Sequence, residues 1–269
     1  MKYAFMTFSN PAWTLEETLA AAKRYGYDGI EVRIGSGHKH GLELSSDATQ
    51  RAAARQRAEE YGVSICCIAT GCVFADPAKA VQNLEQAHAA IDLAADLGAG
   101  VIRVFGGRIP PTISRAQAMD SIVAALQALG DHARMRNVHV AIETHDDWCD
   151  PCHIANILGR VSNPYIGVNW DYMHTTRVAK ASADKAFEAL RPFIKHVHFH
   201  DGTLDADKLV FMPIGQGAYD HQRVLCLLRS IGYDGYLSGE WIDWEPADVH
   251  LPRELVAIKA LEASLGVNS

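Results

Sequence analysis

No stretch of the sequence approaches 18 consecutive apolar residues, so no membrane-spanning helix is expected. A dense lysine/arginine cluster is missing too. With 25 basic and 32 acidic residues the chain carries −7, which argues against a phosphate-tracking surface and against nucleic acid as a partner. The N-terminal MKYAFMTFSNPAW starts as a strand-like run and has no signal-peptide cleavage pattern. The 6 cysteines (Cys66, Cys67, Cys72, Cys149, Cys152 and Cys226) form no disulfide framework in a chain of this length, and a reducing cytoplasm is expected. Cys149-Asp150-Pro151-Cys152 is formally C-x-x-C, but the second pair of a zinc ribbon is missing, so it reads as ordinary loop thiols. The first strand-like run passes into Thr7-Phe8-Ser9-Asn10-Pro11 with no glycine, which disfavours a dinucleotide-binding open sheet. No Gly/Ser- or Pro-rich linker divides the chain, and one domain over 1–269 is expected.

What the chain does have is a regular alternation. Strand-like runs occur at Tyr3–Phe8, Gly29–Arg33, Ser64–Ala69, Val101–Phe105, Val138–Glu143, Ile166–Asp171, Ile194–His200 and Gly235–Glu240. Amphipathic helical stretches lie between them, near 14–25, 47–61, 78–97, 114–136, 152–160, 182–191, 220–231 and 252–265. The count predicts an α/β fold closed as a (β/α)8 TIM barrel. Glycine follows several helical runs, as in YGYDG at 25–29 and IGYDG at 231–235, where a left-handed cap ends the helix.

Four potential metal ligands, Glu143, Asp171, His198 and Glu240, sit at the carboxyl ends of separate runs: VHVAIE, YIGVNWD, IKHVHFH and GYLSGE. In a parallel barrel such ends converge on one face, where active sites are built. Three carboxylates converging there need a cation, because uncompensated buried charge is heavily disfavoured. Arg103 and Arg33 are too few and too scattered to satisfy all three. Three oxygen ligands and one nitrogen suit one divalent ion, Mn²⁺ or Mg²⁺, with Co²⁺ or Zn²⁺ as substitutes. Alternation along the strand puts His196, His198 and His200 on one face. There His198 would lie at the rim, His196 one layer deeper as a satisfied core residue, and His200 beyond the strand end.

The segments VAIETHDD, IGVNWDYMH, IKHVHFHDG, MPIGQGAYD and GYDGYLSGEW resemble those of the xylose isomerase-like barrel superfamily, and within it the sugar phosphate isomerase/epimerase branch. The likeness spans nearly the whole chain. Its most specific parts are D-x-x-H (Asp171, His174), H-x-x-D (His198, Asp201) and the final strand ending in Glu240. The resemblance implies that Glu143, Asp171, His198 and Glu240 bind one divalent metal. It also implies that Glu143 and Glu240 act as the acid/base pair, and that His174 contacts substrate oxygens. His145, Arg103, His200, Trp170 and Lys39 are further candidate substrate contacts.

Two departures from related patterns narrow the reading. The three-zinc apurinic-site endonucleases have extra histidines after the second and third strands and a late D-x-H, a set that the corresponding CCIATGC, RVFGG and GAYDH lack, which disfavours DNA repair. The glutamate beyond the first metal Glu and the arginine after the metal His, usual in ketose 3-epimerases, are replaced here. The chain has Thr144-His145-Asp146-Asp147 and Phe199-His200-Asp201-Gly202 at those places, which argues against free-ketose 3-epimerisation. The expected activity is isomerisation or epimerisation of a sugar or sugar derivative by proton abstraction next to a carbonyl, through a metal-stabilised enediolate. The alternatives are a metal-dependent lyase acting by β-elimination on a keto-sugar, inosose or dehydroshikimate-like substrate, and a barrel subunit of a carbohydrate-processing complex. The expected partner is a small carbohydrate or related polyol or keto acid, with homo-oligomerisation left open.

Overall fold

The computed structural model describes residues 1–205 and 208–265. Its strands are β1 (Lys2–Met6), β2 (Gly29–Arg33), β3 (Ser64–Val73), β4 (Val101–Phe105), β5 (His139–Glu143), β6 (Ile166–Asp171), β7 (Ile194–Phe199), the two-residue β8 (Asp201–Gly202) and β9 (Phe211–Met212), and β10 (Tyr236–Gly239). β1 to β7 and β10 pair in parallel and close into a barrel, in the order β1-β10-β7-β6-β5-β4-β3-β2. The helices are α1 (Leu15–Tyr25), α2 (Ala48–Tyr61), α3 (Pro77–Leu97), α4 (Arg115–Arg136), α5 (Pro151–Val161), α6 (Tyr172–Arg177), α7 (Ala183–Leu190), α8 (His221–Ser230) and α9 (Ala247–Ser264). The expected (β/α)8 barrel is therefore present. No helix among the described residues is long and apolar enough to cross a membrane.

Local chemistry explains the boundaries. Thr14, Asp47 and Ser114 each close a capping box on α1, α2 and α4, satisfying amide donors that the first helical turn leaves free. Gly26 and Gly98 end α1 and α3 at φ 88° and 77°, the left-handed region where a Cβ is penalised. The first strand stops at Met6, two residues short of expectation, because Thr7–Ser9 turn into a 3₁₀ helix. α9 starts at Ala247, earlier than expected, and Pro252 sits inside it. The sequence reading missed both α6 and the β8–β9 hairpin.

Alternation sorts the strand side chains. Large apolar residues such as Phe5, Ile30, Val104, Val168, Val197 and Leu237 are buried in the main core between strands and helices. Ala4, Cys66, Cys67, Val101 and Ala141 form a separate, smaller buried cluster. Polar side chains lie buried along the same strands: Glu31, Arg103, Asn169, His196 and Ser238 are all at most 1% exposed. All six cysteines are free thiols, four of them buried.

Beyond β7, Asp201 holds the crossover to α8. Its Oδ1 accepts Gly202 N at 2.8 Å, and its Oδ2 accepts Gly215 N at 2.8 Å and Gly217 N at 3.1 Å. The Gly215-Gln216-Gly217 turn thus wraps an internal carboxylate, and a Cβ on Gly217 would fall 1.9 Å from Asp201 Oδ1. Asp201→Ala strands these amides without an acceptor. We expect it to cost about 3 kcal/mol, at about 1–3 kcal/mol for each buried donor left unpaired less local relaxation, read from urea unfolding.

His250 gives the fold a pH dependence of its own. It packs against Trp241 and Trp244 with ring centroids 5.1 Å and 5.4 Å away. Burial, reinforced by Arg253, lowers its pKa from 6.5 to about 4, against opposing pulls from Glu245 and Asp248. The unfolded chain takes up a proton at higher pH than the folded one. The neutral-imidazole contribution is therefore complete above pH 6.5 and is lost as pH falls from 6.5 toward about 4. Unfolding measured across that window should show a shallower pH slope in His250→Gln than in wild type.

Candidate metal centre

The four expected ligands come together. Glu143, Asp171, His198 and Glu240 each offer one ligand atom, all within 4.8 Å of one another, and all four residues are buried. The strand register produces this: Asp171 lies beside His198 across β6 and β7, and Glu240 follows β10, where Ser238 lies beside His198. His198 Nδ1 lies 2.9 Å from Glu143 Oε1 and 3.3 Å from Glu240 Oε2. The D-x-x-H spacing has a local cause as well. Asp171 is the N-cap of α6, and its Oδ1 accepts His174 N at 3.0 Å. Oδ2 is left facing His200 Nε2 at 2.9 Å.

The charges are unevenly matched. Arg103, 1% exposed, places Nε 3.3 Å from Glu143 Oε2 and Nη2 4.0 Å from Glu240 Oε1. Its Nη1 donates to Thr70 O at 3.0 Å, and its guanidinium lies 4.0 Å from the Phe105 ring centroid. One guanidinium thus serves two of the three carboxylates, and its contact with Glu143 Oε2 is an ion pair without hydrogen-bond geometry. The donor set, three carboxylates and one imidazole with a single guanidinium beside them, fits a divalent cation.

Electrostatics bind the cluster together. Burial alone would push the His198 imidazole down, but Glu31, Glu143 and Glu240 outweigh it and hold it well above the ordinary value. Burial would raise Asp171, yet His200 and His174 hold it well below the usual carboxylate range. Glu240 is likewise lowered against its burial, chiefly by His198 and then Arg103.

The candidate substrate contacts divide. His145 and His174 meet edge to face with centroids 4.6 Å apart, and His174 lies 6.1 Å from His200, so three imidazoles border the cluster. Burial would lower His145, but the hydrogen bond to Asp146 and then the charge of Glu143 raise it to about 9. Burial lowers His174 to about 4, with Asp171 opposing and His145 reinforcing. Trp170 is a correction. It lies between Asn169 and Asp171 on β6, so its side chain takes the outer face, packs on Tyr172 and Phe187, and donates Nε1–H to Thr175 Oγ1. Lys39 is also not brought in, since its side chain is exposed on the loop after β2. Arg103 is a brace of Glu143 rather than a mouth residue, while Glu31 belongs to the centre and was missed. A cavity of about 510 Å³ lined by Arg33, Glu43, Thr70, Cys72 and Gln86 opens beside the Arg103–Thr70 contact.

The profile of the xylose isomerase-like TIM barrel matches residues 19–264. The chain belongs to this family. A 3-dehydroshikimate dehydratase of Bacillus anthracis is 22% identical over 270 residues, covering 93% of this chain and 94% of its own. An L-ribulose 3-epimerase of Methylomonas sp. (strain DH-1) is 26% identical over 253 residues, covering 89% and 82%. A solved L-ribulose 3-epimerase structure superposes with a TM-score of 0.80 at 17% identity over 100% of this chain and 98% of its own, a likeness of fold. The relatives to which the chain is similar thus include both an epimerase and a dehydratase.

Proposed function

We propose that the chain is a divalent-metal-dependent isomerase or epimerase acting on a sugar or sugar derivative by proton abstraction next to a carbonyl. The observation that carries this is the convergence of Glu143, Asp171, His198 and Glu240 within 4.8 Å at the strand ends. Mn²⁺ or Mg²⁺ suits such an oxygen-rich set, with Co²⁺ or Zn²⁺ as substitutes. When bound, the cation supplies Lewis-acid stabilisation of the oxyanion that develops as the proton leaves. Asp171 and His198 serve as ligands only. Glu143 and Glu240 are ligands and also the proton-transfer pair, one carboxylate taking the proton and the other returning it on a different face or carbon. Arg103 offsets part of their charge without closing the mouth. His145, His174 and His200 offer donors and acceptors to substrate hydroxyls.

A dehydratase is the second reading, favoured by one feature. Two residues beyond Glu143 the imidazole of His145 stands half-exposed beside His174, where a general acid could protonate a departing β-hydroxyl. The dehydratase relative spans 93% of the chain.

Candidate sugars incubated in D₂O with metal-loaded protein and followed by NMR separate the two. Deuterium appearing at carbon with all atoms retained is the expected result, whereas loss of water selects the second reading. No exchange with any substrate of either class would contradict both and favour a subunit role.

A further inference from the structure

We propose that Glu31 is the positioning residue that orients His198 toward the candidate metal, an inference resting on the metal reading above. Glu31 lies in the middle of β2, 0% exposed. Its Oε2 accepts His198 Nε2 at 3.0 Å, and its Oε1 lies 3.2 Å from the same nitrogen. The opposite ring nitrogen, Nδ1, faces Glu143 and Glu240. An imidazole whose Nε2 proton is held by a carboxylate presents its Nδ1 lone pair to the cation. The contact thus fixes both the tautomer and the rotation of the ring.

Glu31 is itself held. Its Oε2 also accepts His196 Nε2 at 2.9 Å, so two imidazoles one layer apart on β7 clamp one carboxylate across the barrel. Among the described residues no lysine or arginine pairs with it, although Arg103 is near enough to feel its charge. Burying a carboxylate costs several kcal/mol, and Ala4 and Val101 show that apolar side chains also fill this interior. Packing alone therefore has no need of an acid here, whereas aiming His198 does.

Co²⁺ alone, titrated into the metal-free full-length chain, tests this by calorimetry and visible absorption. Glu31→Gln keeps the shape and loses the charge. It should bind Co²⁺ about 10–100-fold more weakly than wild type, with shifted absorption bands, while its far-ultraviolet circular dichroism stays as in wild type. Equal affinity and an unchanged spectrum would overturn the role of Glu31 and leave the metal reading standing. Wild-type protein that binds no Co²⁺ would instead overturn the metal reading, and this inference with it. Should Glu31→Gln not fold, ¹¹³Cd-loaded wild type labelled with ¹⁵N-histidine carries the test. Coupling of cadmium to His198 Nδ1 with the proton retained on Nε2 supports the inference, and coupling to Nε2 overturns it.

Discussion

Glu143→Gln and Glu240→Gln are each expected to lower kcat by about 10³-fold, within the 10²–10⁴-fold span that a positioned acid or base contributes. The basis is their paired placement. Both carboxylates lie against His198 Nδ1, at 2.9 Å and 3.3 Å, and both lie within reach of Arg103. The amide keeps an oxygen that can remain in a coordination sphere but has no basic lone pair for a proton at neutral pH. Metal content should therefore fall less than turnover, which separates loss of acid/base chemistry from loss of ligand. If the two carboxylates serve opposite faces, each variant should lose solvent-proton exchange from one of two epimeric substrates and keep part of it with the other. Exchange at wild-type rates in both variants would remove them from the proton-transfer role.

Stripping the metal is expected to have the second large effect. The metal-free chain should lose turnover to background and regain it with Mn²⁺ or Mg²⁺, since the oxyanion would otherwise develop beside three carboxylates and one guanidinium. Stability should follow by mass action. A cation at 100 times its Kd adds about 2.7 kcal/mol, roughly 5–10 °C in melting temperature for a chain of this size. In its absence the carboxylates still have partners, with His200 against Asp171 and His198 between Glu143 and Glu240, so the metal-free protein should stay folded. Full activity in a preparation proved free of divalent ions would contradict the mechanism.

Much of this was legible in the chain because barrels repeat one physical pattern. Short apolar runs ending in a polar residue, separated by helices with glycine caps, place strand ends on one face whatever the substrate. That rule alone singled out Glu143, Asp171, His198 and Glu240. The misses have physical causes of equal simplicity. Trp170 sits next to a ligand in sequence and therefore on the opposite side of the sheet, a consequence of the two-residue period of β6. Glu31 was passed over because it lies inside a strand rather than at its end. Its signal was a lone acid in GIEVR, matched by a lone extra histidine at position 196. Arg103 read from sequence both as a carboxylate partner and as a substrate contact, and the β4–β5 register, with Arg103 beside Ala141, brings it 3.3 Å from Glu143. The hairpin of β8 and β9 is two residues on each side, too short to carry a period. α6 is one and a half turns started by the Asp171 cap, a local event inside what looked like a loop.

The most direct measurement is an anomalous difference map from crystals of the manganese-loaded chain, collected at the manganese absorption edge. One peak per chain, about 2.0–2.4 Å from oxygens of Glu143, Asp171 and Glu240 and from Nδ1 of His198, is the predicted result. A map with no peak among these four side chains, from protein that turns over its substrate, would contradict the account.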